Sequence, residues 1–147
     1  MDLRMIEALT ASDVMTHEVI CLNEDLDVRE CERILLDRGI SGAPVVDRDG
    51  HLEGVLSKTD IVGHYHAQGD SAGIYEMRPA PQGQAVQIED RRARDLMTPV
   101  PCVATEYSSV ADLAALMVRR EVHRVVICRR RQVVGIVSSM DILRAIA

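Results

Sequence analysis

Two stretches of this sequence place a serine three residues ahead of an aspartate, behind a glycine and two apolar residues: Gly54-Val55-Leu56-Ser57-Lys58-Thr59-Asp60 and Gly135-Ile136-Val137-Ser138-Ser139-Met140-Asp141. An ionised carboxylate only accepts hydrogen bonds and has two oxygens to do it with, so Asp60 and Asp141 each suit a ligand presenting two adjacent hydroxyls. Ser57 and Ser138 add a hydroxyl at the same turn. Where a strand passes into a helix, exposed N–H groups and the positive end of the helix dipole also favour a phosphate. A second reading fits the same residues. Ser-x-x-Asp is close to a capping box, in which the serine caps the helix and the acid reaches back to the serine N–H. A lone instance favours the cap, two instances in matched surroundings leave both readings open, and the serine can serve both purposes.

A phosphate held by a chain of net charge −6 and pI near 5.3 needs a local cation. His123-Arg124 supplies one, and Arg124 is the better candidate because a guanidinium binds phosphate through two parallel N–H donors. The corresponding place in the first half of the chain reads Ser41-Gly42, which puts phosphate binding there in doubt. Lys58, the only lysine, stands beside Ser57, but a flexible ammonium at a helix start is more often simply exposed. Arg91-Arg92-Ala93-Arg94 and Arg129-Arg130-Arg131 suit an acidic partner or a phosphate, although short charge runs are usually solvated faces.

Other chemistries find little support. There is no GxSxG, P-loop, HExxH or Gly-rich dinucleotide fingerprint, so the expectation is a chain that is not an enzyme. His64 and His66 flank Tyr65 and would share a side of an extended segment, but no paired cysteine motif completes a metal site, and a helix there would send the rings apart. Cys21, Cys31, Cys102 and Cys128 lie in apolar surroundings without CxxC spacing and read as reduced, buried thiols.

The elements that must position these residues follow from an internal repeat. Asp13-Val14-Met15-Thr16 recurs 82 residues later as Asp95-Leu96-Met97-Thr98, Val28 recurs as Val110, and the closing Gly-to-Asp block recurs at an offset of 81, one residue being lost from the second hairpin. Each copy predicts strand, helix, strand, strand, helix. The first strand is Val19–Leu22 or Pro101–Ala104. A helix capped by Asp27 or Ser109 follows, with apolar residues at helical spacing: Val28, Cys31 and Leu35, then Val110, Leu113 or Ala114, and Met117. Gly39 stops the first of these helices. Hairpins turn at Asp47-Arg48-Asp49-Gly50 and at Arg129-Arg130-Arg131, and a second helix opens at Ser57 or Ser138. The predicted organisation is a lead-in helix over 1–11, repeat one over 12–66, a linker rich in Gly, Gln, Ala and Pro over 67–93 and expected to be partly mobile, and repeat two over 94–147.

With 47% hydrophobic residues but no Trp or Phe, the core must be aliphatic. The acidic balance argues against nucleic acid and anionic membrane surfaces, and no long apolar run or signal-like N-terminus is present, so a cytoplasmic location is expected.

The matched Asp-h-Met-Thr openings, where h is apolar, and the two Gly-h-h-Ser-x-x-Asp-h closings make residues 12–66 and 94–147 resemble a tandem pair of cystathionine-beta-synthase (CBS) domains, or Bateman module. The resemblance implies an α/β (α+β) fold with two sheets packed about a pseudo-two-fold axis and clefts between the repeats. It further implies a homodimer, and a regulatory role in which an adenosine-containing ligand (AMP, ADP, ATP, NAD, S-adenosylmethionine or cyclic di-adenosine monophosphate) is sensed and signalled to a separate effector protein. No resident cofactor is required. On that resemblance Asp60 and Asp141 hold the ribose. Ser57, Lys58, Ser138, His123 and Arg124 meet phosphate or hydroxyl groups, His123-Arg124 standing where the family often has its His-Arg pair. Thr16, Val19, Ile20, Ala43, Pro44, Thr98, Pro101, Val103 and Val125 line the adenine slot. The same apolar positions also suit ordinary sheet packing. Two other readings stay open: a dimerising, docking module with empty clefts, and a metal or redox sensor.

Overall fold

A computed structural model describes residues 2–68, 91–99 and 102–147. Its elements, in chain order, are helix α1 (Leu3–Ala8), α2 (Ala11–Val14), strand β1 (Leu22–Asn23), α3 (Val28–Asp37), β2 (Gly42–Val46), β3 (Leu52–Ser57), α4 (Lys58–Gln68), α5 (Ala93–Leu96), β4 (Thr98–Pro99), β5 (Val103–Ala104), α6 (Val110–Arg120), β6 (Arg124–Arg129), β7 (Gln132–Ser138) and α7 (Ser139–Ile146). One sheet has the order β1-β2-β3-β4 and the other β5-β6-β7. The expected strand-helix-strand-strand-helix order is found in both copies. Most of the expected linker, residues 69–90, and Pro101 lie outside the described residues.

Local chemistry sets the element ends. Asp27 Oδ1 accepts from Arg29 N–H at 2.7 Å and Ser109 Oγ accepts from Asp112 N–H at 3.0 Å, so both expected caps hold the starts of α3 and α6. At the end of α3, Gly39 adopts φ +64° and Ile40 N–H bonds Leu35 C=O at 3.0 Å, a left-handed termination that costs a glycine little. The lead-in is not one helix: Thr10 N–H and Oγ1 both bond Asp13 Oδ2, at 2.8 and 3.1 Å, which ends α1 and opens α2. The first strand is also shorter than its apolar residues suggest. Its ladder is confined to Leu22–Asn23, which pair in parallel with Val45 and Val46, and residues 19–21 run outside it.

The chain divides into two compact units, and neither is a continuous half. One contains Met1–Ile20, Gly50–Leu52 and Pro101–Ala147; the other contains Cys21–Asp49 and Glu53–Val100. The opening block of each repeat thus packs into the unit built on the other repeat's hairpin. In the first unit Ala11 N–H bonds Ser108 C=O (2.8 Å), Ser12 N–H bonds Glu106 C=O (3.0 Å), and Val110 N–H bonds Leu9 C=O (3.0 Å). The second unit makes the same three bonds at positions 82 further on or back: Ala93 to Leu26 (2.9 Å), Arg94 to Glu24 (3.1 Å) and Val28 to Arg91 (3.0 Å). Thr16 bridges Ile136 antiparallel, as Thr98 pairs with Val55.

Each unit has its own aliphatic core. Ala11, Met15, Val110, Leu113, Met117, Val125, Ile127, Val137 and Ile142 form one, and Leu22, Val28, Cys31, Leu35, Ala43, Val45, Leu56, Ile61 and Ala93 form the other. The methionines of the two Asp-h-Met-Thr blocks rest on the glycines of the two closing blocks. A Cβ on Gly54 would stand 2.7 Å from Met97 Sδ and 2.6 Å from Thr98 O, and one on Gly135 would collide with Met15 Sδ. Glycine is therefore required by space at these two positions. A Cβ on Gly63, at the exposed side of α4, would meet nothing within 4 Å.

Gly54→Ala and Gly135→Ala are each expected to lower stability by about 1–3 kcal/mol through overpacking. Gly63→Ala is expected to raise it by about 0.5–1 kcal/mol through helix propensity. Urea denaturation of the three variants checks this, and equal effects at all three positions would show that the methionine contacts are immaterial.

Candidate functional site

Each unit brings candidate residues together at the junction between a hairpin and the helix that follows it. In the first unit β7 runs through Ile136 into Ser138 and α7 carries Asp141 one turn later. Thr16 is fixed beside β7 by two backbone bonds with Ile136, of 2.9 and 3.2 Å. On the other side, β6 pairs Arg124 with Ser138 and Val125 with Val137, and His123 C=O accepts from Ser139 N–H at 2.9 Å. Thr16, His123, Arg124, Ser138 and Asp141 therefore share one sheet end. The second unit repeats the arrangement with Thr98 beside Val55, Ser57 and Asp60 at the opening of α4, and Lys58 N–H bonded to Ser41 C=O at 2.9 Å. Ser41 and Gly42 take the places of His123-Arg124 there, and Lys58 is the basic residue at that helix start.

The capping reading and the ligand reading use different oxygens. Asp141 Oδ2 accepts from Ser138 N–H at 2.8 Å while Ser138 Oγ accepts from Asp141 N–H at 3.1 Å, a reciprocal capping box. Its Oδ1 lies 3.7 Å from Arg144 Nη1, a loose ion pair. Asp60 Oδ2 takes both the N–H and the Oγ of Ser57, at 2.9 and 3.0 Å, and its Oδ1 takes no hydrogen bond from the described residues. Both aspartates are half-buried. The cap locks the carboxylate's orientation at no cost to its second oxygen, which is what a preorganised acceptor requires.

The remaining candidates sort by exposure. Thr16, Thr98, Lys58 and His123 are exposed, and Val19, Ile20 and Arg124 are half-buried. Ala43, Pro44 and Val125 are almost wholly buried, and Ala43 and Val125 belong to the two cores, so their side chains pack rather than line an open slot. Val103 stands 49% exposed on β5. Sequence reasoning missed the Met15–Gly135 and Met97–Gly54 contacts, for which the signal was present: Met recurs in both copies of the opening motif and Gly in both copies of the closing one.

His64 and His66 lie in α4, so the extended segment on which the metal reading of these residues rested is not formed. Two of the thiols are poor nucleophiles. Burial, with Asp27 and to a lesser degree Glu30 adding repulsion, pushes Cys31 up to about 11, and burial alone raises Cys128 above its ordinary value. None of the four cysteines is in a disulfide, and only Cys31 is buried as expected, Cys21, Cys102 and Cys128 being half-buried.

The CBS domain family pattern matches residues 11–67 and 93–147, and the chain belongs to that family. A protein of Methanocaldococcus jannaschii without assigned function is 28% identical over 95% of this chain and 92% of its own length. Two further relatives from that organism are longer, the chain spanning 41% and 33% of them. Among solved structures, CBSX2 in complex with AMP superposes with a TM-score of 0.76 at 22% identity, covering 95% of this chain and 96% of that one. The CBS domain pair of protein MJ0100, in complex with 5′-methylthioadenosine and S-adenosyl-L-methionine, gives 0.75 at 24% identity, covering 95% and 100%. The fold is thus that of a CBS pair, a mixed α/β architecture. Among the described residues no helix is long and apolar enough to cross a membrane.

Cys31 gives the site's surroundings a pH signature. Its thiol binds its proton more tightly folded than unfolded, so its contribution to stability is complete below about pH 9 and is lost as pH rises towards 11. The loss should be on the order of 2–3 kcal/mol. Urea denaturation at pH 8 and pH 11 should show a shallower decline in Cys31→Ala than in the wild type, and parallel declines would count against it.

Proposed function

We propose that this chain is a non-catalytic sensor of an adenosine-containing ligand, and that it signals occupancy to a separate effector protein. The observation that carries the reading is the division of labour on Asp60 and Asp141: one oxygen is tied into the cap and the other is left to accept hydroxyls. A ribose 2′,3′-diol is the matching donor pair. The two structural relatives bound to AMP and to adenosyl compounds support the same ligand class. Thr16, Val19 and Ile20 then face the adenine beside Asp141, and Thr98 does so beside Asp60.

The units are not equivalent in this reading. Arg124 and His123 equip the first for phosphate, as in AMP or ATP, whereas Ser41-Gly42 leaves the second better suited to a nucleoside or adenosyl group without phosphate. The chain also works as a homodimer through its helices. In one unit Leu36 and Val62 are 60% and 65% exposed at a groove of about 190 Å³ lined with Leu35 and Ile61, and in the other Val118, Met140 and Leu143 are 78%, 51% and 57% exposed. Large apolar side chains grouped on helix faces are typical of association surfaces.

Thermal denaturation against AMP, ADP, ATP, NAD, S-adenosylmethionine, cyclic di-adenosine monophosphate and Zn²⁺ tests the ligand class. An adenosine compound at about 100 times its Kd should add about 2.7 kcal/mol, while silence from all of them would favour a docking module and a response to zinc alone a metal sensor. Asp141→Asn, which keeps an oxygen for the cap, should weaken that ligand roughly 10- to 100-fold by calorimetry. Arg124→Ala should cost AMP more than adenosine; equal losses would remove the phosphate contact. Sedimentation should give a dimer for the wild type and a monomer for Val62→Glu with Leu143→Glu, and a monomeric wild type would refute the dimer.

A further inference from the structure

The hairpin between β6 and β7 closes through two residues, Arg130 and Arg131, with Arg129 paired to Gln132 across it. Both turn residues have positive φ, 51° and 67°. Such two-residue turns favour Asn-Gly, because left-handed backbone crowds any larger side chain. Strain of this kind persists where the surroundings impose it and concentrates at functional positions. The expected Arg129–Arg131 turn is thus present, but in the conformation least suited to arginine.

The strained turn borders a cleft of about 470 Å³ lined by Glu106, Tyr107, Arg129, Arg130, Gln132 and Val134, within the size range of small-molecule sites. Arg129 donates from Nε and Nη2 to Glu106 Oε1, at 3.0 and 2.6 Å, which neutralises the one carboxylate in the lining. Arg130 makes no ion pair or hydrogen bond among the described residues and keeps its full donor set. Tyr107, 81% exposed, offers an unused aromatic face, and Val134 an apolar floor.

We propose that this cleft is a second ligand site, separate from the Asp141 carboxylate, for a small planar phosphate monoester whose ring stacks on Tyr107 and whose phosphate is gripped by Arg130. Two donors on a guanidinium match two phosphate oxygens, and the flat ring supplies the apolar contact that an open cleft needs to hold a small anion. The proposal is independent of the adenosine reading, which concerns the other end of the same strands.

The probe is phenyl phosphate, which has the ring and the phosphate but no ribose, titrated into the full chain by ¹H–¹⁵N NMR. Shift changes should centre on Tyr107, Arg130 and Gln132. Arg130→Asn should weaken binding at least tenfold and, because asparagine tolerates the left-handed turn, raise the melting temperature. Tyr107→Ala should weaken binding several-fold, and Asp141→Asn should leave it unchanged. Absence of saturable binding, retention of full affinity in Arg130→Asn, or loss of affinity in Asp141→Asn would each overturn the proposal. An Arg130→Asn protein no more stable than the wild type would overturn the strain on which it rests.

Discussion

The structure depends on a thioether lying against a bare backbone. Met15 on Gly135, and Met97 on Gly54, let the opening block of each repeat approach the hairpin of the other closely enough to pair with it. Any Cβ at those glycines would push the block away and unpair Thr16 or Thr98, which flank the two capped carboxylates. The contact is small, but packed interiors tolerate little added volume. It explains why each repeat contains both a methionine and a glycine that have no role within the repeat itself.

Around this contact, backbone bonding is satisfied by a few polar side chains with fixed tasks. Asp13 and Asp95 reach back to Thr10 N–H and Arg92 N–H, each at 2.8 Å, and Ser57–Asp60 and Ser138–Asp141 do the same at the opposite ends of the strands. Every aspartate in the two repeated motifs is a cap. The four differ in setting: Asp60 and Asp141 stand half-buried where a hairpin strand runs into its helix, whereas Asp13 and Asp95 are exposed at the starts of α2 and α5. Residue type alone does not separate structural carboxylates from ligand-binding ones; the second oxygen's surroundings do.

Much of this was legible in the sequence because it is local. Caps at Asp27 and Ser109, the stop at Gly39, the buried Val28-Cys31-Leu35 stripe and both hairpins follow from rules spanning fewer than ten residues. The exchange of opening blocks was not legible. Thr16 faces the same pattern, Gly-h-h-Ser, whether it pairs with its own hairpin or the other, and a repeat by construction makes the two choices alike in sequence. The short first strand had a related cause: Val19, Ile20 and Cys21 have strand-like residue types, but the chain is spent crossing from Thr16, paired with β7, to Leu22, paired with β2. The turn at residues 130 and 131 was visible as a turn, but its left-handed backbone was not, because arginine argues against it.

The exchanged blocks also set an order of events during synthesis. The unit comprising Cys21–Asp49 and Glu53–Val100 is complete in the nascent chain once β4 has emerged, whereas residues 1–20 wait for a partner that begins at 101. At translation rates of about 5–20 residues per second, that leaves α1, α2 and Thr16 unpaired for several seconds. During that interval Met15 and its neighbours are open to the hairpin of their own repeat, whose glycine is already being claimed by Met97. Fidelity of assembly then rests on which methionine reaches Gly54 first, a kinetic competition written into the chain by its own duplication.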